Sequence, residues 1–252
     1  MTRLLVAATR RGIVLLACAA ACHSGTSAST SAATPGSVAL FDGTSLGAFD
    51  TFIRGEGLNV DTTHLFRVEN GEVHVTGVGF GYFVTKRSFR NFRLHAEFKW
   101  GDSTYLERRG KARDSGILYH VQGPNKVWPR SLELQIQEGA TGDLWITDSA
   151  GANDRSGTRH VSRPGNGVLV ARFGKGAWQD VIDYRDPNGE VERPRGEWND
   201  VELVVRGDTA RHFVNGKLMN EVTHLFPAEG KILFQSEGAE LFFRNIRVDP
   251  LD

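Results

Sequence analysis

Strict two-residue alternation is the strongest constraint on this chain. In Phe92–Phe98, residues Phe92, Leu94, Ala96 and Phe98 are apolar, while Arg93, His95 and Glu97 are polar. Ser131–Gln137 repeats the pattern: Leu132, Leu134 and Ile136 alternate with Ser131, Glu133, Gln135 and Gln137. Successive side chains of a strand point to opposite faces, so each run predicts a strand with one buried face. No long stretch carries helical apolar periodicity. The 29 glycines fit many tight turns between strands.

Turn signals divide the rest. Asn70-Gly71 separates Phe66–Glu69 from Glu72–Val75 and predicts a hairpin. Further strands are predicted at Ser37–Phe41, Tyr82–Thr85, Gly116–Val121 and Trp198–Val205. His212–Val214, Lys231–Gln235 and Leu241–Val248 complete the regular part, with turns at Arg206–Thr209 and Asn215-Gly216. The charged run from Gly101 to Arg113 reads as a surface loop, because its side chains bury little. Asp148 to Glu197, rich in Gly, Arg, Asp and Pro, reads as long loops around one or two strands. Ten to fourteen short strands with few helices predict a β-sandwich or barrel. Neither an internal repeat nor a second domain is apparent.

The chain has 252 residues, 30 basic and 30 acidic. That length fits one large all-β domain. Charge balance gives no reason to expect nucleic acid or an anionic membrane surface as partner.

The N-terminus predicts export. Three arginines precede an apolar run, Gly12–Cys22, too short to span a bilayer. Both cysteines, Cys18 and Cys22, lie at its end. Ala19-Ala20-Ala21 before Cys22 looks like a bacterial lipoprotein signal, with Cys22 lipidated; a plain secretory signal is the alternative. Residues 1–22 are then the signal, 23–36 a Ser/Thr/Ala-rich tether, and 37–252 the folded domain. Membrane attachment would run through this anchor alone, placing the protein in the periplasm or cell envelope. The mature domain has no disulfide and must be stable from its core, which more than 200 residues can supply.

Six short blocks carry a resemblance. They are Leu40–Leu46, Arg113–Leu118, Leu132–Ile136, Gly196–Asp200, Phe213–Lys217 and Phe243–Ile246. In this order they resemble the 3-keto-disaccharide hydrolase domain family. The resemblance implies an all-β jelly-roll sandwich of the concanavalin A-like lectin and glucanase type, with long loops. It also implies a substrate class, glycosides oxidised to a ketone at C3 of a sugar. Asp114 stands where the commoner form has Asn, which marks a distinct branch.

A C3 ketone acidifies the hydrogen on C2, so the C1 substituent can leave by β-elimination and water can add back. That route needs a base, a stabiliser for the enolate oxygen and an acid for the leaving group. A divalent metal could serve as the Lewis acid. Glu133 and Gln135 share one strand face, and the family resemblance favours a site there over a solvated row. Glu133 is the candidate base or metal ligand, and Gln135 a hydroxyl binder. His120 would share a face with Asp114, Gly116 and Leu118 if that strand is continuous. Imidazole titrates near neutrality and binds metals, so His120 is a candidate base and metal ligand; a histidine hydrogen-bonded within the sheet is the alternative. Arg113, Asp114 and Glu138 flank these residues as substrate-binding candidates. Trp128 and Trp145 could stack on sugar faces or belong to the core. Gln235 and Glu237 share a face and could line the same concavity.

The reading is an enzyme acting on 3-keto glycosides. A non-catalytic carbohydrate-binding module of the same fold would keep the tryptophans and amides without convergent carboxylates. A conventional endoglycosidase would carry a closely spaced acid row, but Gln135 and Gln137 stand where acids would be expected. A surface adhesion domain is the blandest alternative.

Overall fold

The computed structural model describes residues 36–172 and 175–252. The signal segment, Cys22 and nearly all of the tether lie outside the described residues. The strands, in chain order, are β1 (Val38–Ala39), β2 (Phe49–Ile53), β3 (Gly57–Leu58), β4 (Phe66–Glu69), β5 (Glu72–Val75) and β6 (Phe80–Thr85). Next come β7 (Phe92–Thr104), β8 (Asp114–Gln122), β9 (Arg130–Gln137), β10 (Leu144–Thr147), β11 (Gly151–Asn153) and β12 (Arg159–Val161). The last six are β13 (Gly167–Ala171), β14 (Asn199–Arg206), β15 (Thr209–Val214), β16 (Lys217–Phe226), β17 (Lys231–Glu237) and β18 (Ala239–Pro250).

They form two antiparallel sheets. One has the order β12-β11-β16-β15-β14-β7-β18-β5-β4, with β1 also paired to β18. The other runs β13-β10-β9-β8-β17-β6-β2-β3. The sheets pack as a jelly-roll β-sandwich, the fold expected from the sequence blocks.

Local chemistry explains the strand ends. Asn70 and Gly71 take φ of 53° and 79°, the left-handed pair that a two-residue hairpin requires. Asn215 and Gly216 repeat this at 49° and 78°. The strands differ from expectation in two places. The long β7 runs on through Thr104 into the charged segment, because its backbone still pairs with β18 as far as Thr104↔Ala239. Three short strands, not one or two, occupy the 148–197 region.

Alternation decides what each face does. Leu132, Leu134 and Ile136 of β9, Ile117 and Tyr119 of β8, and Phe234 of β17 all point into the core between the sheets. An aromatic knot closes it. Phe83 and Phe234 stack at 4.8 Å and 3°, and Phe243 from the opposite sheet meets Phe234 edge-on at 5.2 Å. Phe49 touches both, at 5.1 and 6.1 Å. Burying each such ring contributes about 1.5–3 kcal/mol. The same strands therefore present their other residues on the outer face of the eight-stranded sheet, and that face carries the site.

Candidate functional site

The outer face of β9, β8 and β17 is a polar floor. Gln137 pairs across to Asp114, Gln135 to Gly116, and Glu133 to Leu118. Leu233 pairs with Leu118, so two residues further on Gln235 and Glu237 continue the same face. Trp145 on β10 lies directly opposite Glu133. A cleft of about 430 Å³ stands on this floor. It is lined by Asp114, Glu133, Gln135, Gln235, Glu237, Trp128 and Trp145, all singled out in the sequence.

Three segments build the walls. The 123–129 loop supplies Trp128, whose ring meets Phe80 of β6 edge-on at 6.5 Å. The charged 101–113 segment folds into a short 3-10 helix, Leu106–Arg108, and drops Arg108 into the cleft. The region after β13 brings Arg172 and Trp178.

Asp114 is the hub of the floor. It accepts hydrogen bonds from the side-chain amides of Gln135 (2.8 Å) and Gln137 (3.0 Å) and pairs with Arg108. The Arg108 guanidinium also reaches Glu237 at 3.8 Å and Asp180 at 3.3 Å. Sequence reasoning missed Arg108, because one arginine in a charge-rich loop carries no periodic signal. Gly116 makes the floor possible. A Cβ there would collide with the carboxyl of Glu133 and the side-chain oxygen of Gln235. That Gln235 oxygen, Oε1, is buried and has no hydrogen-bond partner.

Electrostatics separates the two glutamates. Burial, with the nearby Glu237 charge adding to it, raises the Glu133 pKa well above the carboxylate range. Burial also raises Glu237, but the Arg108 and Arg54 charges oppose it and hold the group at about 7. Burial thus favours the protonated form of Glu133, while Glu237, at about 7, is poised to exchange its proton near neutral pH.

Two expectations are corrected. His120 does not face the cleft. Its backbone adopts φ of 52° beside a bulge in the β8–β9 pairing, which ends the alternation that would have aimed it there. Both ring nitrogens meet backbone carbonyls, Pro227 at 2.9 Å and Arg90 at 3.3 Å, and the ring packs on Phe92. Arg113 and Glu138 do not line the cleft either. They form a buried ion pair at 2.7 Å, with Asp183 also on Arg113 at 2.9 Å. The backbone carbonyl of Glu138 accepts from the Trp178 indole at 3.2 Å, so this pair anchors a wall from behind. The structure therefore does not bring His120 to the cleft that Glu133 lines. Among the described residues no group of three or more His, Cys, Asp or Glu side chains is placed to hold a metal ion.

Buried acids make a pH prediction. Burial raises Glu192, bonded to the Trp100 indole at 2.9 Å, to about 8. Together with Glu133 and Glu237, it binds protons in the folded state that the unfolded chain, with pKa near 4.3, has already released. Folding stability must then fall as pH rises from about 4.5 through 8. His212 works in the opposite sense, since burial pushes it down to about 4. It destabilises the fold only below pH 6.5, where the unfolded chain takes up a proton that the folded chain does not. Urea unfolding should give at least about 2 kcal/mol more stability at pH 5.5 than at pH 8.5.

The sequence pattern of the 3-keto-alpha-glucoside-1,2-lyase-like domain family matches residues 36–249. The chain belongs to this family. Membership supports a carbohydrate-directed function. A search among curated proteins found no match. Among solved structures, a candidate glycosyl hydrolase from Parabacteroides distasonis is similar at 22% identity and a TM-score of 0.56, over 86% of this chain and 95% of that one. A second candidate glycosyl hydrolase from the same organism is 18% identical, with a TM-score of 0.49, over 76% and 93%. A carbohydrate-binding module, CBM66 from Bacillus subtilis, is 9% identical, with a TM-score of 0.45, over 70% and 86%. The first of these shares the sandwich fold.

Proposed function

We propose that this protein cleaves 3-keto glycosides by elimination and rehydration. The observation that carries the reading is the pair of carboxyl groups lining one cleft, Glu133 with its proton affinity raised by burial and Glu237 poised near neutrality. Two acids with separated pKa values are the mark of an assigned acid and base. Glu237 removes the proton on C2. The electron pair forms the C1–C2 double bond as the C1–O bond breaks, and Glu133 protonates the departing oxygen. During proton removal, negative charge collects on the C3 oxygen, and the Arg108 guanidinium is the positive group of the floor that can face it. Water then adds back: Glu133 takes a proton from the water as its hydroxyl joins C1, and Glu237 returns its proton to C2, which completes a net hydrolysis and restores both groups. Trp128 and Trp145 would sandwich the apolar faces of the sugar. The unpartnered Gln235 oxygen would accept a sugar hydroxyl. The protein would be exported and held by a lipid at Cys22.

The test compares 3-keto and ordinary forms of one glycoside. Release of the aglycone from the keto form alone is expected. Release from neither form sinks the enzyme reading, and release from the ordinary form points to a conventional glycosidase.

A further inference from the structure

A second cavity of about 420 Å³ lies on the same outer face, beyond the 123–129 loop. The loop is a shared wall: Trp128 lines the cleft, while Asn125 and Pro129 line the second cavity. The two spaces abut. Tyr82 of the second cavity pairs across the sheet with Gln235 of the cleft, and directly opposed side chains start about 5 Å apart.

The lining has the chemistry of a sugar site. Tyr82, itself buried and stacked on Phe52 at 5.3 Å, lies beneath the space, and its hydroxyl donates to Asn125 Oδ1 at 3.2 Å. Val84 adds an apolar patch, backed by Leu118 and Leu233. Gln122 and Asn125 supply amides at the rim. Charge is balanced: Glu229 and Lys231 both line the space, and Lys231 also faces Asp50 at 3.9 Å. Exposed amides over an apolar base, with no net charge, suit a neutral polyhydroxylated ring rather than an anion.

Size decides what that ring belongs to. A cleft of about 430 Å³ already falls in the range that takes a drug-sized ligand, so a glycosidic bond and both its flanking rings fit there. An equal volume next door is room for more chain. We propose that the second cavity binds a further sugar unit, so that the protein prefers oligosaccharides longer than two rings. The inference rests on the carbohydrate-directed reading of the cleft and not on the elimination chemistry.

Binding tests it first, with the full chain and unoxidised probes: maltose and maltotriose, cellobiose and cellotriose. In at least one series the trisaccharide should bind about tenfold tighter than the disaccharide, the worth of one good polar contact. Asn125→Ala, at an exposed position, should remove that ratio and leave disaccharide affinity unchanged. Equal affinities in both series, or an Asn125→Ala loss shared equally by both lengths, would overturn the proposal. Turnover of the 3-keto forms is measured in parallel. If no keto glycoside is cleaved while the length preference and its Asn125 dependence hold, the elimination reading fails and the extension site stands.

Discussion

Glu237→Gln should lower turnover of a 3-keto glycoside by about 10²–10⁴-fold, the usual worth of a positioned proton-transfer group. The amide keeps the shape of the side chain and loses only the basic oxygen. Glu133→Gln should cost a comparable factor, because a glutamine cannot protonate the departing oxygen. Neither change should unfold the protein. Burial favours the neutral form of Glu133, so a neutral amide of the same shape fits the site at little cost. The pH profile separates the two roles. Glu237 acts as carboxylate, so the rate should fall as pH drops through about 7, where the group takes up its proton. Glu133 acts as acid, so the alkaline limb belongs to it, and Glu133→Gln should remove that limb from any residual activity. Turnover of both variants within a factor of two of the wild type, with unchanged circular dichroism, would place the chemistry elsewhere.

Phe234→Ala should destabilise the fold by about 3–5 kcal/mol. Phe234 is fully buried and meets Phe49, Phe83 and Phe243, so its loss opens a cavity that no flexible neighbour can fill. At about 2–4 °C per kcal/mol for a domain of this size, the melting temperature should fall by about 10 °C. The site should feel it as well. Gln235 is the next residue on the same strand and faces the cleft, so the floor is held level by the ring behind it. A drop below about 1 kcal/mol in urea unfolding would show that the aromatic knot is not the keystone of the sandwich.

Much of the architecture was legible in the sequence, because strand alternation and hairpin turns are local. The Asn70-Gly71 and Asn215-Gly216 turns need a left-handed backbone that these residue types tolerate, and they occur where predicted. The polar row of Glu133, Gln135 and Gln137 was legible for the same reason: period two places those side chains together whatever surrounds the strand. His120 shows where that logic stops. One left-handed residue and one bulge turned it from the floor to the backbone of a neighbouring segment, and nothing in the alternation of Asp114–Val121 announces them.

By itself, then, the sequence pattern determined an all-β sandwich or barrel, the strand faces and the polar row, since these follow from alternation and turn residues a few positions apart; the jelly-roll sandwich came from the family resemblance. The tertiary structure decided the rest. Arg108 reaches Asp114 and Glu237 across a loop whose path no local pattern predicts. Arg113 and Glu138 turn inward to each other, and their pairing depends on how a distant segment folds back over them. The separation of Glu133 from Glu237 in proton affinity is likewise a property of burial and neighbouring charge, which exist only once the sheets have packed.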